Sequence, residues 1–429
     1  MIKFLMPILF ITCTAIANAE QPADSAKLIV DTNFEGASAR VLEIDHQKGH
    51  IRIMPDGNPE RGWPVWWYCR VAGLAPDQEI QITVHPSIRP LPAGHPGGGK
   101  PLAGSWAMPA QASWSADGNR WQKTSPGKRE EGAITYSLTS PGHQLWIAWG
   151  PPATPSMTNN WMDEIAEKNS SVNKFKLTTT REGREVNGIR IMSPEGKSDK
   201  RPVLWFQARQ HAWESGSSWV ARGIGDWLTG DSEDARWIRN NMETYIVPIM
   251  DVDRAATGDG GKEADPHDHN RDWSDKPHYP EVAAAQKRIL DWSHENRLAV
   301  FIDLHNPAPG NKTAYFYISP DEAITPERRP HRSLFLDTIH QNYSEPIPLS
   351  RNTQSTGPGY HPLWNRISHT WVNQHCNENA VAVCLETAWN LPQSTTEGYQ
   401  STGAGLMKGI ARFLKEHPHS EIPNTKSPN

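Results

Sequence analysis

The sequence predicts a mixed α/β fold, a mostly parallel sheet with helices on both faces, preceded by an antiparallel β-sandwich. Two stretches of contrasting pattern carry that reading. From Leu28 to about Pro151, short alternating runs such as Ala39-Arg40-Val41-Leu42-Glu43-Ile44 and Glu79-Ile80-Gln81-Ile82-Thr83-Val84 are separated by Pro, Gly and Asp clusters, the pattern of half-buried antiparallel strands. After Pro151, continuous apolar runs alternate with longer helical patterns, and strands without polar alternation belong to a sheet covered on both faces.

The elements follow in chain order. Lys3, the apolar run Phe4 to Ile11 and the small residues of Ala17-Asn18-Ala19 have the form of an export signal over 1–19, which predicts a periplasmic or extracellular protein. A sandwich domain is expected over 20–151, with a loop at the glycine- and proline-rich Pro90 to Pro101. The second domain, 152–416, is expected to place strands at Pro202 to Ala208, Thr244 to Met250, Ala299 to Leu304 and Ala380 to Leu385. Helices are expected at Ser217 to Leu228, Tyr279 to Asn296 and Gly403 to Lys415. The Pro-, Ser- and Asn-rich segment 417–429 has the composition of a disordered tail.

Composition narrows the function. The formal charge of -5, from 43 basic and 48 acidic residues in 429, is spread without long blocks, so neither a nucleic-acid stripe nor a polybasic membrane anchor is expected. No apolar run reaches the roughly 20 residues of a membrane span. Of four cysteines, Cys13 belongs to the signal, and Cys376 and Cys384 either pair or stay reduced together with Cys69. The 19 tryptophans, several within Trp63-Pro64-Val65-Trp66-Trp67-Tyr68 and at Trp106, Trp114 and Trp121, would serve as stacking platforms for sugar rings or as sandwich core. The burial habits of aromatic residues favour core.

Chemistry is concentrated at strand ends. In His211-Ala212-Trp213-Glu214 a histidine and a carboxylate three apart can turn toward one metal, and zinc accepts both ligand types. The same spacing recurs at His278 to Glu281 and His375 to Glu378, so context must choose. The first copy lies where the buried run Val203 to Phe206 ends and a helix opens, the place where α/β sheets collect ligand groups. The other two follow no buried strand and read as surface residues. A third ligand is expected at His305, which ends Val300-Phe301-Ile302-Asp303-Leu304 and is followed by Asn306-Pro307. A His, Glu, His set leaves a fourth position for water.

Four segments then carry a resemblance. Gln207 to Ser217 is similar to the zinc segment of the metallocarboxypeptidase family, particularly its cytosolic-type branch. Asp268-His269-Asn270-Arg271-Asp272-Trp273 resembles that family's Asp-x-Asn-Arg-x-Trp segment, Val300 to His305 its second zinc strand, and Val383-Cys384-Leu385-Glu386-Thr387 its catalytic-glutamate strand. All four occur in family order, and Trp67-Tyr68-Cys69-Arg70-Val71 resembles a strand of the β-sandwich that the cytosolic-type branch carries. The resemblance implies a carboxypeptidase-like fold, one Zn2+ ion held by His211, Glu214 and His305, and a peptide substrate with a free C-terminal carboxylate. It implies further that Glu386 is the catalytic base, that Asn270 and Arg271 hold the substrate carboxylate, that Asp268 orients His211 and that Tyr360 caps the substrate. A helix N-cap is the other use of Asp268, and a plain loop tyrosine the other reading of Tyr360. Where the family has an oxyanion-stabilising arginine, this sequence offers Lys262, with Arg254 as a second candidate. Hydrolysis of a C-terminal peptide or isopeptide bond is the leading expectation. The alternatives are an amidohydrolase acting on acylated amino acids at the same zinc site, and a non-catalytic relative that binds peptide or glycan.

Overall fold

The computed structural model describes residues 27–195 and 200–419. The expected signal at 1–19 lies outside them, as does 420–429 of the expected tail. Of that tail, His417 to His419 are described, and the buried His419 ring approaches the Asn296 carbonyl at 2.8 Å.

Ten short strands come first: β1 (Ile29–Asp31), β2 (Arg40–Asp45), β3 (His50–Met54), β4 (Tyr68–Ala72), β5 (Glu79–Val84), β6 (Ser113–Ser115), β7 (Gln122–Lys123), β8 (Lys128–Glu130), β9 (Ala133–Thr139) and β10 (Gln144–Ala148). They form two sheets, β1-β4-β10-β6-β7 and β2-β3-β5-β9-β8. All pairs are antiparallel except β3 beside β5. The inward-facing Ile51, Ile82, Tyr136 and Ile147 are fully buried, and Trp67 meets Tyr136 across the sandwich with ring centroids 6.0 Å apart. Trp66, Trp67 and Trp121 are core residues; Trp63, Trp106 and Trp114 are only half-buried.

The second part adds α1 (Pro155–Lys168), β11 (Val172–Thr179), β12 (Glu185–Ile191), β13 (Val203–Ala208), α2 (Ser215–Leu228), α3 (Glu233–Asn241), β14 (Glu243–Val247), α4 (Val252–Thr257) and α5 (Pro280–His294). It continues with β15 (Leu298–His305), β16 (Tyr315–Ile318), α6 (Arg328–Asn342), β17 (Gln354–Ser355), α7 (Ser368–His375), β18 (Val381–Glu386) and α8 (Thr396–Glu416). The eight strands run in the order β11-β12-β14-β13-β15-β18-β16-β17, with β14, β13, β15 and β18 parallel at the centre. Leu204, Phe206 and Ile302 pack on one face with Val220 and Ile224 of α2 and Ile410 of α8. Val203, Trp205 and Phe301 pack on the other with Ile289 of α5 and Trp371 of α7. Burial on both faces explains the unbroken apolar runs.

Helix α8 begins seven residues before the expected Gly403. Gly398, Gly403, Gly405 and Gly409 lower helix propensity and mask its first turns in the sequence. Gly403 stands there because α8 lies against α2: a Cβ on it would sit 2.2 Å from the Val220 carbonyl oxygen, and one on Gly223 2.1 Å from that of Gln400; Gly409 faces Ile339 of α6 in the same way, at 2.7 Å. The open question about the cysteines resolves to three buried thiols, with no disulfide among the described residues.

The close α2–α8 contact gives the first prediction. Gly403→Ala should gain about 1 kcal/mol of helix propensity and lose more to the backbone clash, for a net destabilisation of about 1–2 kcal/mol measured by urea unfolding. An equally or more stable variant would show that the helices separate freely.

Candidate active site

Three neighbouring parallel strands deliver the chemistry. After β13, Arg209 takes a left-handed conformation (φ 62) that a side-chain-bearing residue adopts only when held there. Its buried guanidinium is held by the carbonyls of Ala212, at 2.8 Å, and Ala153. This turn brings His211 and Glu214 back over the strand end, with Glu214 at the N-cap position of α2. His305 and Glu386 are the last residues of β15 and β18 and stand opposite each other in the parallel register. Tyr315 of β16 flanks Glu386 on its other side.

The ligand atoms of His211, Glu214 and His305 all lie within 4.8 Å of one another, and all three residues are buried. The Nδ1 atoms of both imidazoles face the same carboxylate, His211 at 2.8 Å from Oε1 and His305 at 2.7 Å from Oε2 of Glu214. Burial alone would raise the Glu214 pKa; the facing His211 and His305 outweigh it and hold the group well below the ordinary carboxylate range. Two nitrogens and a carboxylate that converge from different strands are a donor set suited to zinc. No other group of three such side chains converges in this way among the described residues.

A second layer fixes the imidazoles from behind. Asp268 has its Oδ2 3.5 Å from His211 Nε2 and accepts the Glu263 amide at 3.1 Å. It occupies the N-cap position of a short 3-10 turn, but its side chain makes no cap bond. The sequence reading gave no role to Asp303, which is wholly buried and accepts His305 Nε2 at 2.8 Å, Ser368 Oγ at 2.6 Å and Gln210 Nε2 at 2.5 Å. Gln210 is in turn fixed by the Trp273 indole N–H at 2.7 Å. The signal was available, because residues two apart on a strand share a face and Asp303 precedes His305 by two.

The remaining candidates divide. Asn270 is buried with its Nδ2 3.2 Å from His305 Nε2, and its Oδ1 accepts the Ser368 amide at 3.0 Å. Arg271 donates Nη1 to the Asn270 carbonyl at 2.9 Å, leaves Nε without a partner among the described residues, and lies 5.7 Å from the Tyr360 ring centre. Tyr360 is partly exposed and also packs on Tyr317, with centroids 5.1 Å apart. Lys262 lines a cavity of about 250 Å³ together with Glu214, Glu386, Trp106, Trp213, Tyr315, Tyr317 and Tyr360. Burial opposes the Lys262 charge, yet Tyr360, Asp268 and Glu263 outweigh it and raise its pKa, so it is a cation. Arg254 does not reach this cavity: it is buried against Asp251 at 3.3 Å and the Tyr279 hydroxyl at 3.0 Å. Glu386 has Oε2 without a hydrogen-bond partner among the described residues, and its pKa is pushed up to about 7, chiefly by burial and further by Glu214.

The two other His-x-x-Glu copies correct an expectation, since their glutamates are not surface residues. Glu281 is buried against His269 Nε2 at 2.5 Å, and Glu378 is buried against Arg328 at 3.2 Å. A buried carboxylate requires a partner, and each found one other than its own motif's histidine.

With this geometry in hand, comparison identifies the class. The profile of the family described as zinc carboxypeptidase, Peptidase_M14, matches residues 158–388, more than half of the chain. The chain belongs to that zinc carboxypeptidase family. It is similar to an uncharacterized protein of Zymomonas mobilis, 25% identical over 250 residues that cover 58% of this chain and 60% of that one. It is also similar to cytosolic carboxypeptidase 3 of Mus musculus, 24% identical over 305 residues that cover 67% of this chain and 30% of that one. The chain thus spans less than two thirds of the length of either relative. In fold it resembles a metallo-carboxypeptidase from Burkholderia cenocepacia, with TM-score 0.74 and 19% identity over 91% of this chain and 99% of that one.

The second layer yields a prediction. Asp303→Asn keeps the shape and removes the charge behind His305, so zinc affinity measured by chelator competition should fall about 10–100-fold. Unchanged affinity would show that the contact is dispensable.

Proposed function

We propose that the protein removes the C-terminal residue of peptides, with Glu386 as the proton acceptor for the attacking water beside a zinc ion held by His211, Glu214 and His305. The observation that carries the reading is Glu386 itself, a buried carboxylate with an unpartnered oxygen, on the strand adjacent to His305 and opposite it in register. When bound there, zinc would acidify water and polarise the scissile carbonyl. Glu386, with its pKa raised toward neutrality, would accept the proton from water and return it to the departing amine, the balance of strengths that general acid–base catalysis favours.

Arg271 and Asn270 are suited to the substrate's terminal carboxylate. The planar guanidinium offers two parallel donors to a carboxylate, a geometry that lysine lacks. Tyr360, resting over Arg271 at the end of Gly357-Pro358-Gly359, is positioned to close on a bound residue. Lys262, a cation on the same cavity as Glu214 and Glu386, is suited to oppose charge developing on the carbonyl oxygen, and as an ammonium it acts as a point charge without a fork. The leader-like segment Lys3 to Ala19 supports export, so the substrates would be periplasmic or extracellular peptides or isopeptides.

Glu386→Gln should lower kcat by about 10²–10⁴-fold with one zinc per chain retained, measured by steady-state hydrolysis and metal analysis. Wild-type turnover in that variant would remove the proposed base. A peptide with a free carboxylate should be cleaved and its C-terminal amide should not, since only the former engages Arg271.

The pH profile follows from the same group. Glu386 must be ionised to accept a proton, and burial raises its pKa, so kcat/KM should fall as pH drops through that value. The charge of bound zinc pulls the value down, which sets the acid limb of the loaded enzyme at or below about pH 7. A rate independent of pH between about 4 and 8 would contradict this assignment.

A further inference from the structure

We propose that Trp63, contributed by the N-terminal sandwich region, positions Lys262 for the reaction and so makes that region a working part of the active site. The inference rests on the reading of Lys262 given above and goes beyond it by naming what holds the lysine in place. The Lys262 ammonium lies 5.5 Å from the centre of the Trp63 ring. Among the described residues its Nζ makes no hydrogen bond or ion pair, so the ring is the directed contact that fixes it.

Trp63 is built differently from the core tryptophans. Trp66, Trp67 and Trp149 each donate the indole N–H to a carbonyl, of Gly36, Ala107 and Trp106 respectively, at 2.8 Å. The buried indole N–H of Trp63 has no partner among the described residues. Its ring is instead set by the edge of Trp106, centroid to centroid 5.0 Å at 72°, which stands the ring against the lysine. Trp106 itself lines the catalytic cavity.

The main chain shows that this meeting is tightly specified. The Trp63 amide donates to the Lys262 carbonyl at 2.9 Å, the Gly261 amide to the Arg61 carbonyl at 2.9 Å, and the Asp265 amide to the Glu60 carbonyl at 2.8 Å. Arg61 adds an ion pair to Asp259 at 2.6 Å. The two segments approach at glycine distance: a Cβ on Gly260 would sit 1.8 Å from the Trp63 carbonyl oxygen, and one on Gly62, at φ 114, 2.2 Å from the Gly261 nitrogen. Segment 60–63 therefore sets where the Lys262 loop runs, and the Trp63 ring sets where the ammonium at its tip rests. A lysine has four rotatable bonds and no planar fork, so without a surface behind it the charge would sample many positions. An aromatic face attracts a cation and narrows that range.

The test is a double-mutant cycle. Trp63→Leu fills the space without a π face and Trp63→Phe keeps one. W63L should lower kcat about tenfold with little change in KM and normal zinc content, and W63F should recover most of the loss. In a Lys262→Met background, W63L should cost nothing further, because there is no ammonium left to position. An equal loss in both backgrounds, or W63F as slow as W63L, overturns the proposal and assigns Trp63 to packing alone. Wild-type turnover in K262M also overturns it, while leaving the zinc and Glu386 reading intact. Failure of that reading would appear separately, as turnover that survives zinc removal or Glu386→Gln.

Discussion

One buried carboxylate organises the site. Glu214 receives an imidazole on each oxygen, and the rest of the arrangement serves to keep those three groups together away from water. A charge buried in this way is costly unless paired, and removing one partner of a buried set leaves the others uncompensated. The chain meets the cost in layers. Asp268 stands behind His211 and Asp303 behind His305; Gln210 and Ser368 satisfy Asp303, and Trp273 satisfies Gln210. Glu386 Oε2 is buried as well, and it has no hydrogen-bond partner among the described residues.

The sheet explains why these groups meet. Parallel strands β13, β15 and β18 end at the same edge, and each delivers its functional side chain at or just beyond its last residue. Apolar runs closed by Arg209, by Asn306-Pro307 and by Thr387 made those strands and their ends legible in the sequence. Convergence of residues as far apart as His211 and Glu386 was legible only through the combination of motifs, since the His-x-x-Glu spacing occurs three times. Glu281 and Glu378 show what spacing alone misses: each is buried and paired with a side chain other than its motif's histidine, His269 and Arg328 respectively.

Other features were hidden for identifiable reasons. Short strands β16 and β17 and helices α6 and α7 fall between about Tyr315 and His375, where Pro, Gly and Ser interrupt any period, yet they supply Tyr315, Tyr317 and the base of the Tyr360 loop. The start of α8 was obscured by glycines required by close approaches, Gly398 to the Gln393 carbonyl and Gly403 to α2. Asp303 was within reach through strand alternation. The choice between Lys262 and Arg254 was not, because it depends on Tyr279 and Asp251 capturing Arg254 away from the cavity. The tryptophans divide in the same manner: most are core, as aromatic burial predicts, and the half-buried Trp63 and Trp106 sit where sandwich and catalytic sheet meet.

The central claim is that His211, Glu214 and His305 share one metal ion. Anomalous diffraction measured on both sides of the zinc absorption edge, from crystals of the purified protein, tests it most directly. A single peak about 2.0–2.2 Å from the Nδ1 atoms of both histidines and from a Glu214 oxygen is the expected result. Zinc bound elsewhere, or bound with His305 outside its coordination sphere, would contradict it.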